Sequence, residues 1–158
     1  MKIIIDTREK IDAIQPLLQD FELKGIETKR QKLDVGDYMN ADNLTKDGYY
    51  IIIDRKGNGL NELAINLGSH FVQFKNEILR ARQNKILLVV LIVDETRTCL
   101  EDIKSWSPQY NTRGKKKAMT GEKMYKTIST LSNAYRDCLH FEFVKKDKLA
   151  ERIIELLN

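Results

Sequence analysis

The chain contains few of the residues that stabilise small proteins through disulfides or bound metals. Its 158 residues include two cysteines, two histidines and two prolines. Cys99 and Cys138 lack metal-ligand spacing, and two thiols are too few for the disulfide framework of a small secreted domain. We therefore expect both cysteines to be reduced and the protein to be cytoplasmic.

Long apolar runs are also missing. The longest, Ile86 to Val93, is far shorter than the about 20 residues that a membrane-spanning helix needs. At the amino end only three isoleucines precede Asp6, which is too few for the apolar region of a signal peptide. The sequence thus predicts neither a membrane segment nor a secretion signal, and no membrane partner.

Nothing in the sequence divides the chain into parts. It has no internal repeat, no low-complexity stretch and no proline- or serine-rich linker. Its length and its 42% content of hydrophobic residues are typical of one globular domain with a core of its own. We expect residues 1–158 to form a single domain.

Continuous apolar runs alternate with amphipathic segments along the chain. Strands that are buried on both faces have such runs, whereas helices repeat apolar residues at steps of three and four. The predicted buried strands are residues 3–5, 51–53 and 86–93, and less buried strands are predicted at 26–33 and 141–144. The predicted helices are residues 11–21, 71–81, 124–138 and 149–156. This order predicts a three-layer α/β/α sandwich with a mixed central sheet.

The positive charge is concentrated in one segment. Between Lys104 and Lys126 there are seven basic residues and one acid, while the rest of the chain has a slight excess of acids. Clustered cations gain affinity for phosphates by displacing condensed counterions, which predicts nucleic-acid binding. The candidate contacts are Arg113, Lys115, Lys116 and Lys117, with Arg80 and Arg82 on a predicted helix. The alternative is a solvated surface loop.

Carboxylates lie near the ends of the predicted strands. Asp54 ends the second isoleucine run, and Lys56 follows two residues later. Both side chains point to the same side of an extended strand. Converging carboxylates are suitable ligands for Mg²⁺, and a neighbouring lysine can position or deprotonate a metal-bound water. An isolated Asp-X-Lys is otherwise a surface ion pair.

Three blocks of the sequence resemble the nuclease domain of XPF-type structure-specific endonucleases. They are residues 4–9 (IIDTRE), 33–38 (LDVGDY) and 52–56 (IIDRK). The family signature is Gly-Asp, a variable gap, Glu-Arg-Lys, three residues and Asp. The resemblance extends weakly over essentially the whole chain, and it implies a restriction-endonuclease-like fold of the Asp-(Asp/Glu)-X-Lys nuclease class.

The resemblance assigns roles to these blocks. It implies that Asp37 and Asp54 are ligands of Mg²⁺, for which Mn²⁺ can substitute, and that Lys56 is the catalytic lysine. Asp6, Arg8 and Glu9 are implied as further members of the site. Arg55 should point away from Lys56 on an extended strand, so we expect it to make a structural or neighbouring-chain contact.

Two positions depart from the signature. Asp54 stands where the family has glutamate, and Leu60 stands where it has the final aspartate. We expect Leu60 to enter the core and Glu62 or Glu77 to supply an outer carboxylate. We find no helix-hairpin-helix module of the kind that relatives use to dimerise, so the protein is expected to work as a homodimer or with a separate partner protein.

The sequence therefore predicts a metal-dependent DNA endonuclease that hydrolyses a phosphodiester through an activated water. Branched or single-strand-bearing DNA is the expected substrate, and no nucleotide cofactor is expected. Two alternatives remain open. One is a non-cleaving DNA-binding or assembly module that retains the nuclease fold, which Leu60 favours. The other is a metal-dependent recombinase or resolvase that cuts paired symmetric sites as a dimer.

Overall fold

The computed structural model describes residues 1–108 and 119–158, and in this part of the chain six strands form one sheet. The strands are β1 (Lys2–Ile5), β2 (Glu27–Arg30), β3 (Tyr38–Leu44), β4 (Tyr50–Lys56), β5 (Ile86–Val93) and β6 (Leu139–Val144). Their order is β2-β1-β3-β4-β5-β6. All pairings are parallel except those of β3, which is antiparallel to β1 and to β4.

Helices cover both faces of this sheet. They are α1 (Ile11–Leu23), α2 (Leu60–Leu67), α3 (Phe71–Gln83), α4 (Gly121–Ala134) and α5 (Leu149–Leu157). Apolar side chains of α2, α3 and α4 pack on one face, and those of α1 and α5 pack on the other. The predicted three-layer α/β/α sandwich with a mixed sheet is confirmed. No helix among the described residues has the length and hydrophobicity needed to cross a membrane.

The central strand β5 explains why its sequence is a continuous apolar run. Leu88, Val90 and Ile92 are buried on the side of α2, α3 and α4. Val89 and Leu91, between them, are buried on the side of α1 and α5. Successive side chains of a strand point to opposite faces, so a strand covered by helices on both sides is apolar at every position.

The neighbouring strand β4 alternates in the same way, and its last residues are charged. Ile52 packs on the α3 side and Ile53 on the α1 side. The alternation then places Asp54 and Lys56 on the α3 side and Arg55 on the α1 side. Because β1, β4, β5 and β6 are parallel, they all end at one edge of the sheet. The reversed strand β3 begins at this same edge, directly after Asp37.

The sequence patterns did not predict the strand β3 or the helix α2. The strand β3 contains asparagine and aspartate, which are depleted in strands, and it forms through its pairing with β1 and β4 on either side. The helix α2 is short and begins without a side-chain cap. Its three buried leucines hold it against the core. Leu60, the first of these, is 3% exposed, so the prediction that it enters the core is confirmed.

Candidate active site

The pairing of β3 with β4 places two carboxylates next to each other. The Asp37 backbone N–H donates to the carbonyl oxygen of Ile53 at 2.7 Å, and Asp37 Oδ2 accepts the backbone N–H of Arg55 at 2.8 Å. These bonds position Asp37 across from Asp54. Burial and the nearby charge of Asp54 raise the pKa of Asp37 well above its usual value. Asp37 and Asp54 therefore share one small, poorly solvated site. We refer to these two residues as the acid pair.

Asp54 is itself bound to Lys56 within the same strand. Lys56 Nζ donates to Asp54 Oδ1 at 2.7 Å, and each residue is 5% exposed. The other oxygen, Asp54 Oδ2, is buried without a hydrogen-bond partner. Burial acts to lower the pKa of Lys56, but the charge of Asp54, its hydrogen bond and the charge of Asp37 raise it overall. The bond to Asp54 fixes Lys56 Nζ beside the acids.

A third carboxylate reaches this site from α3. Glu77 Oε1 accepts the backbone N–H of Gly36 at 2.8 Å, and burial and the charge of Asp54 raise the pKa of Glu77. Gly36 has a φ of 62°, and a Cβ added there would lie 2.5 Å from the Ile52 side chain. The Gly-Asp turn therefore needs glycine at its first position. Of the two glutamates named from the sequence, Glu77 is the one bound to this turn.

Glu62, the other candidate, makes a different contact. It lies in the first turn of α2, where its Oε2 accepts the backbone N–H of Asn58 at 3.1 Å. Its charge contributes to raising the pKa of Lys56. Glu62 thus closes the turn between β4 and α2.

Asp6 lies at the end of β1 and is completely buried. It accepts the backbone N–H and two guanidinium N–H groups of Arg8 at 2.6, 2.7 and 3.2 Å, and the backbone N–H of Leu33 at 2.5 Å. Arg8 also donates to the carbonyl oxygen of Leu33 at 2.9 Å. These bonds connect the end of β1 to the loop that carries Asp37. The Asp6 backbone N–H also donates to the carbonyl oxygen of Asp37 at 2.8 Å. Asp6 therefore lies beside Asp37, with its carboxylate oxygens bonded to Arg8 and Leu33, and its implied part in the site stays a prediction.

Glu9 lies on the opposite face of the sheet from Lys56. Its Oε2 accepts the Tyr38 hydroxyl at 2.6 Å and Arg55 Nε at 2.8 Å. A Cβ on Gly57 would collide with Arg55 Nη1, so this glycine leaves room for the guanidinium. Arg55 makes the structural contact expected from its position on the strand. The sequence motif groups Glu9 with the acid pair, whereas the structure places it in this separate cluster.

The two arginines on α3 lie in different places. Arg80 is exposed, and its Nε donates to the carbonyl oxygen of Asp34, in the loop before Asp37, at 3.3 Å. Arg82 Nε instead contacts Asp137 Oδ2 at 2.9 Å. Asp137 precedes β6, whose amino end is at the opposite edge of the sheet from the acids. Only Arg80 of this pair is therefore next to the candidate site.

The four basic residues predicted from the charge cluster lie outside the described residues. They are Arg113, Lys115, Lys116 and Lys117. Their predicted contact with nucleic acid stays a prediction.

The residues at the acid pair fit a hard cation. Within residues 1–108 and 119–158, no three Asp, Glu, His or Cys side chains are arranged to hold a metal ion by themselves. Mg²⁺ does not need such a cage, because it binds through one or two carboxylates and keeps several waters. Asp54 Oδ2, which is buried without a hydrogen-bond partner beside Asp37, is a carboxylate oxygen that can ligate such an ion. We infer that the acid pair suits Mg²⁺.

Two solved structures of XPF from Aeropyrum pernix, one of them a complex with DNA, are similar to this chain. Their TM-scores are 0.61 and 0.59, with 18% sequence identity in both, and the similarity covers 99% of this chain. The chain has the fold of XPF. It spans 60% and 62% of the length of the two XPF chains. No protein-family model matches the sequence, and no curated protein has significant similarity to it.

The structural similarity to XPF therefore confirms the fold that the three sequence blocks imply. In this fold the end of β4, the start of β3 and the end of β1 lie at one edge of a mixed sheet, and the residues described above lie at that edge.

Proposed function

We propose that this chain is a metal-dependent DNA endonuclease that hydrolyses a phosphodiester bond. One observation carries the proposal: Asp37, Asp54 and Lys56 lie together at the edge of an XPF-type sheet, with one buried oxygen of Asp54 unpartnered. The XPF structure in complex with DNA supports the choice of substrate class. The similarity covers about three-fifths of the XPF chains, so the activity is inferred from this site.

Asp37 and Asp54 would hold the metal, Mg²⁺ or Mn²⁺, through their carboxylate oxygens. When bound, the cation polarises a phosphoryl oxygen and acidifies a water molecule. Lys56 is fixed by its bond to Asp54 at 2.7 Å. It would position the attacking water by a hydrogen bond and offset negative charge in the transition state. Burial of both side chains strengthens these electrostatic effects.

Branched or single-strand-bearing DNA is the proposed substrate, taken from the resemblance to XPF-type nucleases. From the low cysteine content we propose that the protein works in the cytoplasm. We also propose that it acts as a homodimer or with a separate partner protein. Arg80, on α3, lies beside the site, and it would contact a phosphate of the bound strand.

The decisive experiment replaces the site residues and measures Mg²⁺-dependent cleavage of a panel of DNAs: flap, fork, junction, duplex and single strand. Asp54→Asn and Lys56→Ala should each reduce the cleavage rate by about 10²-fold or more. DNA affinity should change little, because neither residue is proposed to contribute mainly to binding. Arg82→Ala is a control in the last turn of α3, where Arg82 contacts Asp137, and it should retain activity.

Undiminished cleavage by Asp54→Asn would refute the proposed site. Unfolding of Lys56→Ala would instead make the lysine structural.

A non-cleaving DNA-binding module is the second candidate, and one observation favours it. Leu60 occupies the position of the signature's last acid and is buried in the core. Binding of the DNA panel without cleavage under Mg²⁺ or Mn²⁺ would support this candidate.

A further inference from the structure

We propose that Glu77 is a positioning residue of the metal site, holding the Gly-Asp turn and supplying the outer carboxylate that Leu60 cannot supply. The inference rests on the proposed function, because it concerns the binding of the same cation. Glu77 lies on α3, away from the three sequence blocks that define the acid pair and the lysine.

Glu77 is hydrogen-bonded to the Gly-Asp turn. Glu77 Oε1 accepts the backbone N–H of Gly36 at 2.8 Å. Asp37 is the next residue, so this bond fixes the backbone from which one proposed ligand extends. Partners of this kind orient metal ligands, and their loss typically reduces metal affinity about 10–100-fold.

The helix α3 packs over the end of β4. Glu77 stands one turn after Phe74, and Lys56 Nζ lies 5.8 Å from the centre of the Phe74 ring. Glu77 also interacts electrostatically with Asp54 and Lys56. Its charge therefore acts on the same small volume as the acid pair. One oxygen is engaged by Gly36, so Glu77 acts through the turn and through hydrogen bonds to water.

Three carboxyl groups converge at the carboxyl end of β4. They belong to Asp37, Asp54 and Glu77, and Lys56 Nζ donates to one oxygen of Asp54. Asp54 Oδ2 is left without a partner. A divalent cation with retained waters would bind such oxygens directly or through a water molecule. The helix α3 thus provides what the signature's missing aspartate would provide.

The test measures metal binding by the full chain without DNA. Mn²⁺ titrations followed by electron paramagnetic resonance measure the dissociation constant directly. Glu77→Gln keeps an oxygen that can accept the Gly36 N–H but removes the charge, and it should raise the Mn²⁺ dissociation constant about 10-fold or more. Glu77→Ala removes both functions and should raise it further.

The matched control is Glu62→Gln. Glu62 is a glutamate on α2 that also accepts a backbone N–H near the end of β4. Its variant should bind Mn²⁺ within about 3-fold of the wild type, because it does not hold the Gly-Asp turn. Thermal unfolding of each variant without metal checks folding. If Glu77→Ala does not fold, Glu77→Gln alone decides the question.

Two failures can be told apart with Asp54→Asn in the same titration. Loss of Mn²⁺ binding in Asp54→Asn but wild-type binding in Glu77→Gln would overturn the role of Glu77 and leave the proposed function intact. A wild-type protein that does not bind Mn²⁺ at millimolar concentration would overturn the proposed metal site and, with it, the role of Glu77.

Discussion

At the scale of single residues, Asp6 illustrates how a carboxylate in an active-site motif can act on the backbone. Its four hydrogen bonds come from Arg8 and Leu33, and they connect the end of β1 to the loop before Asp37. Burial acts to raise the pKa of Asp6, but the hydrogen bonds from Arg8 and Leu33 lower it below its ordinary value overall. Folding therefore favours the ionised form of this carboxylate.

Asp6→Asn should make stability less dependent on pH. A carboxylate whose pKa is lower in the folded state stabilises the fold above its unfolded pKa of about 3.9, and this contribution disappears as pH falls through the folded value. At pH 7 the variant should be less stable by about 2 kcal/mol, and at pH 3 the difference from wild type should shrink. Urea unfolding at both pH values measures this.

The exposed turn residue Asp47 provides the control, since Asp47→Asn should change stability little at either pH. A destabilisation by Asp6→Asn that is equal at pH 7 and pH 3 would contradict a role for the charge.

At the scale of elements, α3 both packs the core and reaches the candidate site. Ile78 is completely buried, whereas the next residue, Leu79, is 37% exposed. The helix thus has one face in the core, while Glu77, adjacent to Ile78 in sequence, reaches the Gly-Asp turn. Packing of Ile78 holds this helix over β4, so the position of Glu77 depends on the core beneath it.

Ile78→Ala should destabilise the protein by about 2–5 kcal/mol, because it leaves a cavity in a packed core. Leu79→Ala on the exposed face of the same helix should cost much less. Chemical denaturation of the two variants side by side measures the difference. Equal destabilisation by the two substitutions would show that α3 is not anchored through Ile78.

Local sequence patterns are sufficient to predict some of these strands and helices. The continuous runs of β1, β4 and β5 predict strands because helices cover both faces of this sheet. Alternation alone assigns Arg55 to the face opposite Asp54 and Lys56. The strand β3 escapes prediction because its pairing depends on partners outside its own segment, and local preference does not encode them. The bond from Glu77 to Gly36 spans 41 residues, so no local pattern indicates which glutamate reaches the turn.

At the scale of the whole molecule, charge is distributed unevenly along the chain. The segment from Lys104 to Lys126 has a large excess of basic residues over a slightly acidic remainder. The sequence predicts that this segment forms an arm beside the active-site edge, and its central residues lie outside the described part of the chain. Its contribution to DNA binding is best measured in the intact protein.

Replacement of Arg113, Lys115, Lys116 and Lys117 by alanine should weaken DNA binding regardless of sequence. The slope of log affinity against log salt concentration should fall by about one for each phosphate that the variant no longer neutralises. Cleavage of saturating DNA should change much less, since these residues are not proposed to touch the metal. An unchanged affinity and slope would identify the cluster as a solvated surface. The DNA contact would then have to be sought on α3.

The reversed direction of β3 has a consequence for how the chain tolerates change in length. Both acids lie where β3 begins and β4 ends, so the connecting turn at residues 45–49 is at the far edge of the sheet, about 20 Å away for strands of this length. Gly48 in that turn has open space around it. Insertions there lengthen the hairpin without moving Asp37 from Asp54. The turn lies within residues 38–53, the stretch between Asp37 and Asp54, and it is a suitable place to graft a label or an additional binding loop.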